Sequence, residues 1–234
     1  MTTGEADCDE TLRNQPTEAS AATVYLALGT NLGDREANLR EAARRISQLG
    51  LTIMRRSSIY ETEPVGFADQ FWFLNQVIEV RLPRQLMFDL NQQEAARLKR
   101  RFDVETQTAL TEQLILLLDA LLKIEGAMGR RRVTVNDPRL IDIDILLCGE
   151  VKGVFGKMPK REAHDLQQFI PRTNDAALPQ LILPHPRLHL RRFVLAPLCE
   201  IAPNVIHPTW QKTCSELLAA LDDPAIVRLF RETD

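Results

Sequence analysis

Residues 141–147 alternate with a period of two: Ile141, Asp142, Ile143, Asp144 and Ile145 lead into Leu146 and Leu147. That is the period of a pleated strand, whose successive side chains point to opposite faces, so the three isoleucines enter a core while Asp142 and Asp144 project together from the other side. A chain of 234 residues that contains such a half-buried strand folds as one elaborated domain or two small ones. With 44% hydrophobic and 26% charged residues, 10 Gly and 13 Pro, it is not collagen-like, of low complexity or disordered throughout. Its longest strongly apolar run, Leu114 to Leu118, is far too short to cross a bilayer, and the N-terminus lacks a basic-then-apolar secretory pattern. A cytoplasmic protein without membrane contact is expected.

Cys8, Cys148, Cys199 and Cys214 lie far apart, with no paired spacing and no neighbouring histidines of zinc-site pattern, and are read as reduced thiols. The net charge of −3 is concentrated at the start. Five acidic residues and one Arg stand in residues 1–22, leaving 28 basic and 27 acidic residues in the remainder. A generally basic footprint for nucleic acid is absent.

Residues 1–22 are polar, small and acidic, without apolar periodicity, and are expected to form a disordered tail. From Thr23 onward a single domain is expected. Val24 to Leu28 reads as a buried strand that leads into a turn at Gly29 to Gly33, with Asp34 placed to cap a helix. Leu39, Ala42, Ile46 and Leu49 then recur at helical spacing. Leu51 to Tyr60 and Phe71 to Leu82 read as two strands joined by a loop at Pro64-Val65-Gly66. Leu114 to Met128 reads as a second helix closed by Gly129, and Ile141 to Cys148 as the next strand. The string β-α-β-β-α-β predicts a ferredoxin-like α+β fold, an antiparallel sheet with helices on one face. Two stretches, about 83–112 and 150–180, are read as insertions on this scaffold. Phe193 to Leu198 and Cys214 to Phe230 are expected to add a strand and a C-terminal helix.

Two carboxylates on one strand face repel each other unless something positive lies between them. A divalent cation such as Mg²⁺ does this, because it takes hard oxygen ligands and is commonly held by one or two carboxylates together with substrate phosphates. A solvated strand face, or carboxylates paired with Arg139 and its neighbours, fits the same alternation. Arginines surround the strand: Arg130, Arg131, Arg132 and Arg139 precede it, and Arg187, Arg191 and Arg192 follow, with His185 and His189 among them. Guanidinium forks match phosphate oxygens, so the combination suits a polyphosphate. A third group runs from Tyr60 through Thr62 and Val65-Gly66 to Phe73 and Asn75. Asn can both donate to and accept from a heterocycle edge, and an aromatic can stack on its face, although core packing would account for these residues equally well.

Four blocks in order resemble the 6-hydroxymethyl-7,8-dihydropterin pyrophosphokinase family: Tyr25 to Asp34, Ser57 to Asn75, Asp137-Pro138-Arg139 through Asp144, and Pro184-His185-Pro186-Arg187 through Pro203. The resemblance implies a ferredoxin-like fold and transfer of pyrophosphate from ATP, as co-substrate, to the pterin hydroxymethyl group in folate biosynthesis, with AMP as the other product. It makes Asp142 and Asp144 the ligands of two Mg²⁺ ions. Arg130 and Arg139 become catalytic arginines that also bind ATP, with Glu125, His185 and Arg191 as further ATP contacts. Thr62, Val65, Gly66, Phe73, Asn75 and Phe193 become the pterin pocket. Partners are small-molecule substrates and neighbouring folate-pathway enzymes, without nucleic acid.

The chain departs from the resemblance at Val135-Asn136-Asp137, where the family commonly carries an aromatic, and at Gln180 and Ile182. Two other functions suit the same residues: a two-metal nucleotidyltransferase or nuclease acting on nucleic acid, and a non-catalytic ferredoxin-like binding module.

Overall fold

A computed structural model describes residues 22–64, 70–83, 109–130, 138–155 and 181–232. Strand β1 (Ala22–Thr30) starts two residues earlier and ends two later than the expected Val24 to Leu28. It leads into α1 (Arg35–Gln48), whose first turn is closed by the Asp34 carboxylate accepting from the Ala37 N–H at 2.9 Å. Leu39, Ala42, Ala43 and Ile46 form the buried stripe of α1. The next stretch, expected as one strand, is two: β2 (Thr52–Arg56) and β3 (Ile59–Thr62). Ser57 and Ser58 interrupt it; both are buried, and their hydroxyls donate to Ser58 O and to Glu200. After β4 (Phe73–Leu82), α2 (Ala109–Ala127) takes in five residues before the expected Leu114. Strand β5 (Asp142–Cys148) follows.

Every pairing is antiparallel, and the strand order is β5-β1-β4-β3, with β2 also against β4. This is the ferredoxin-like order with its second strand broken in two. One face packs Val24, Leu26, Leu28, Ile143 and Ile145 against α1 and against Leu114, Leu117 and Leu121 of α2.

The closing segment differs from the reading made of it. Phe193 to Leu198 belongs to helix α3 (Arg192–Ile201), and a short helix α4 (Cys214–Ala219) is followed by strand β8 (Val227–Arg231), which extends the sheet beside β3. Val194, Leu195, Leu198 and Ile201 recur at helical spacing, but Pro197 breaks the run and disguised it as extended chain. Because α3 and α4 cover the second face through Tyr25, Val77, Leu147, Leu195 and Leu198, helices lie on both sides of the sheet rather than one. β6 (Gly153–Phe155), inside the second expected insertion, pairs with β7 (Leu181–Leu183), just past its end, as a small separate ribbon. Residues 1–21, most of 83–112, residues 156–180, and Val65 and Gly66 lie outside the described residues. Cys148, Cys199 and Cys214 are free thiols. Among the described residues no helix is long and apolar enough to cross a membrane.

Candidate active site

The register brings the residues together. Gly29 in β1 stands opposite Asn75 of β4 on one side and Asp142 of β5 on the other, and Asn75 stands opposite Tyr60 of β3. Directly opposed residues of an antiparallel pair share a face, so Asp142, Asn75 and Tyr60 form one row across the sheet. The row is interrupted only by a residue without a side chain. A Cβ built on Gly29 would come within 3.1 Å of the Asn75 Oδ1, so a larger residue would push into the space that separates Asp142 from Asn75. Two strand spacings of about 4.8 Å put these residues roughly 10 Å apart. Gly29 was read as part of a turn; it is the floor of the site instead. Its alternation within the strand was the signal for this, and the neighbouring Gly33 obscured it.

Asp142 and Asp144 share the α3 face, while Ile141, Ile143 and Ile145 are buried on the other, as the period of two requires. Asp142 is held from both sides: its Oδ1 lies 2.5 Å from Arg130 Nη1, and its Oδ2 accepts from Arg139. Part of the Arg-pairing reading therefore holds for Asp142. Asp144 has no ion pair among the described residues; it stands opposite Ala27, one step further along the same face.

The end of α2 supplies Arg130. Gly129 adopts φ +93 there, and a Cβ on it would lie 3.1 Å from Leu140, so the helix can stop and turn back against β5 only with glycine at this position. Glu125, 2% exposed, contacts Arg130 and accepts the Ile143 N–H at 2.7 Å, which pins α2 to the free edge of β5 between the two aspartates. Burial, with Asp142 beside it, raises the Glu125 carboxyl to about 7. For Arg130, burial is outweighed by Asp142 and Glu125, and its pKa rises.

His185 is joined to β5 further along the strand through its backbone N–H, which donates to Leu146 O at 2.9 Å. Burial lowers the His185 pKa, and its Nδ1 accepts from the Arg187 N–H at 3.3 Å, so a neutral ring presents Nε2–H as a donor. Burial, with Arg187 nearby, lowers Arg191 to about 10, which leaves it charged at neutral pH. Its guanidinium lies 5.3 Å from the centre of the Phe193 ring.

On the ring side, Asn75 Nδ2 donates to Thr62 Oγ1 at 2.8 Å, which turns the Asn75 carbonyl oxygen toward Gly29. Thr62 stands opposite Phe73 in the β3–β4 register, and the Arg139 guanidinium lies 5.9 Å from the Phe73 ring centre. Thr62, Phe73, Asn75, Asp142 and Asp144 thus share one face at one end of the sheet, while Glu125 and Arg130 reach it from α2 at the β5 edge. Asn31, 1% exposed, was read only as a turn residue; it bonds to both the Arg139 and the Phe71 segments.

The 7,8-dihydro-6-hydroxymethylpterin-pyrophosphokinase (HPPK) family matches residues 25–111 and 102–203. The chain belongs to this family. A 2-amino-4-hydroxy-6-hydroxymethyldihydropteridine pyrophosphokinase of Bacillus subtilis is 36% identical over 183 residues, 78% of this chain and 79% of the relative. The enzyme of the same name from Methylorubrum extorquens is 32% identical over 207 residues, 88% of this chain and 98% of the relative. A crystal structure of Plasmodium falciparum HPPK-DHPS matches the fold with a TM-score of 0.54 at 17% identity, over 87% of this chain; the chain spans 46% of that longer protein. Neither the nucleic-acid reading nor the non-catalytic one finds support among these relatives.

Proposed function

We propose that this HPPK-family chain transfers pyrophosphate from ATP to the hydroxymethyl group of 6-hydroxymethyl-7,8-dihydropterin, releasing AMP, in folate biosynthesis. The observation that carries the reading is the Asp142–Gly29–Asn75 row, which sets a phosphate-side carboxylate and a ring-edge amide on one face with open floor between them. The hydroxymethyl oxygen forms a bond to the β-phosphorus, the bond from that phosphorus to the α-bridging oxygen breaks, and the hydroxyl proton is released. Such a displacement asks a protein chiefly for alignment and for charge on the phosphate oxygens.

Arg130, Arg139, Arg191 and the Nε2–H of His185 supply that charge and those hydrogen bonds. Glu125 serves the nucleotide through Arg130, which it holds in place. Asn75 reads the pterin edge, Thr62 fixes the orientation of its amide, and Phe73 and Phe193 enclose the ring, with Val65 and Gly66 completing the pocket. Asp142 and Asp144, neighbours on one strand face, fit two Mg²⁺ ions, because one or two carboxylates completed by substrate phosphates are the usual Mg²⁺ arrangement. When bound, the ions neutralise phosphate charge. Phosphate oxygens give Arg130 and Arg139 an alternative partner, which frees the Asp142 carboxylate. The HPPK-DHPS chain, of which this one spans less than half, supports a neighbouring enzyme of the same pathway as a partner.

Incubation with ATP, Mg²⁺ and the reduced pterin should release AMP and pterin pyrophosphate in equal amounts, resolved by chromatography. Release of no AMP when both substrates are present would overturn the assignment.

A further inference from the structure

Behind β3, on the side of the sheet away from the row of Asp142 and Asn75, lies a cavity of about 510 Å³, a volume usual for small-molecule sites. Glu61 marks the side: it stands opposite Leu74, which packs in the core beneath α1, whereas its neighbour Thr62 stands opposite Phe73. Arg35, Glu61, Trp72 and Arg228 line the cavity, together with Phe71, which is 77% exposed. Both Glu61 oxygens are already taken, Oε1 by Arg35 Nη1 at 2.8 Å and Oε2 by Arg228 Nη2 and Nε at 2.6 and 3.1 Å. Arg35 Nη1 also donates to Trp72 O at 2.7 Å. Two guanidinium groups thus share one carboxylate, which leaves a surplus positive charge and three nitrogens, Arg35 Nε and Nη2 and Arg228 Nη1, without a hydrogen-bond partner among the described residues. Arg231, further along β8, is paired with Glu36 and adds no net charge.

Guanidinium groups match carboxylates, and a single surplus charge suits a monoanion better than a phosphate monoester, whose charge approaches two. The Arg228 guanidinium lies 4.7 Å from the Trp72 ring centre, so cation and aromatic wall adjoin. We infer that this cavity is a second small-molecule site that takes a flat ring bearing one carboxylate, with the carboxylate on the remaining nitrogens of Arg35 and Arg228 and the ring against Trp72 and Phe71. None of these residues has a part in the pyrophosphate transfer described above, so the site stands or falls apart from that reading.

Benzoate is the probe. The sequence holds two tryptophans, so in a Trp210→Phe chain the indole N–H of Trp72 is the only one in a ¹H–¹⁵N spectrum and reports on the cavity directly. Benzoate should shift that signal saturably, with a Kd on the order of 1 mM, as expected of so small a ligand. Benzamide, which keeps the shape and loses the charge, should bind at least about tenfold more weakly. In the same background Arg228→Gln should weaken benzoate by about tenfold. Phe71→Ser, at an exposed position on which folding does not depend, should weaken it by about threefold. The reduced pterin, added with Mg²⁺ and α,β-methylene-ATP, should leave the benzoate Kd unchanged, because the sheet separates the two sites.

A Trp72 shift that is absent, or that grows linearly without saturating, overturns the inference. So does benzamide that binds as tightly as benzoate, an Arg228→Gln chain with the affinity of its parent, or displacement of benzoate by the reduced pterin.

Discussion

The two aspartates have different surroundings, and this separates the effects of removing them. Asp144→Ala removes a carboxylate with no ion pair among the described residues, whereas Asp142→Ala leaves Arg139 and the half-enclosed Arg130 without a shared partner. Both variants should lower kcat by at least about a hundredfold in the AMP-release assay, since ligand loss exceeds the 10–100-fold typical of outer-sphere changes. Only Asp142→Ala should also lower Tm; near-normal turnover in either would sink the metal assignment. Glu125 gives the site a pH signature. Its folded carboxyl is raised to about 7 from an ordinary 4.5, so between those values the folded chain holds a proton that the unfolded chain has released. Stability therefore falls as pH rises through that window, by up to about 1.4 kcal/mol per pH unit. Asp142→Asn takes away one cause of the shift and should move the Glu125 titration downward, visible in the carboxyl ¹³C signal, and flatten the slope of Tm against pH. An unchanged slope would show that burial alone sets the value.

Glu200 shows how α3 is joined to the β2–β3 break and to β3. One carboxylate oxygen accepts from both the Ser58 N–H and Oγ at 2.8 Å, and the other from the Tyr60 hydroxyl at 2.8 Å. Burial and this bond push the Tyr60 phenol up to about 12, so it remains a donor. Glu200→Ala should cost about 2–3 kcal/mol, measured by urea unfolding, because three donors lose a charged acceptor. Glu200→Gln should recover part of the loss; equal stability of wild type and Glu200→Ala would reduce the bridge to a surface contact. Glu200 lies 142 and 140 positions from Ser58 and Tyr60 in sequence, so no local pattern announces the bridge. What was legible was periodic: the period of two in 141–147 placed both aspartates on one face, and the stripe of α1 and most of α2 followed from helical spacing. Pro197 hid α3 inside an apolar run, and Ser57-Ser58 hid a break inside a β-rich one. Gly29 and Asn31 were illegible in this way because their partners, Asn75 and Asp142 for the one, Phe71 and Arg139 for the other, lie far away in sequence.

At the scale of the molecule, β8 is the outermost strand, and it fastens the chain's end to the strand that carries Thr62. Its Arg228 lies bidentate on Glu61 Oε2, with N–O distances of 2.6 and 3.1 Å, while Arg35 takes Oε1 at 2.8 Å. The Arg228 guanidinium also lies 4.7 Å from the Trp72 ring centre. Glu61 stands in β3 next to Thr62 and points to the opposite face, so the same strand that fixes the ring side of the site is clamped from behind by the C-terminal segment. Burial works against the Glu61 charge, but the bonds from Arg228 and Arg35 prevail and hold its carboxyl below the ordinary value. A carboxyl that titrates lower in the folded than in the unfolded chain contributes stability above the unfolded value, and this contribution disappears as pH falls through the folded one. Arg228→Ala takes away the stronger clamp, so the folded carboxyl should titrate closer to the ordinary value and the acid limb of a Tm–pH profile should begin at higher pH. At neutral pH the loss should be modest, about 1 kcal/mol, because Arg228 is itself largely exposed. The same variant should loosen β3 enough to raise the KM for the pterin while leaving that for ATP alone. An acid limb superimposable on the wild type would mean that Arg35 alone holds Glu61, and that β8 is an ornament of the sheet rather than a support of the site.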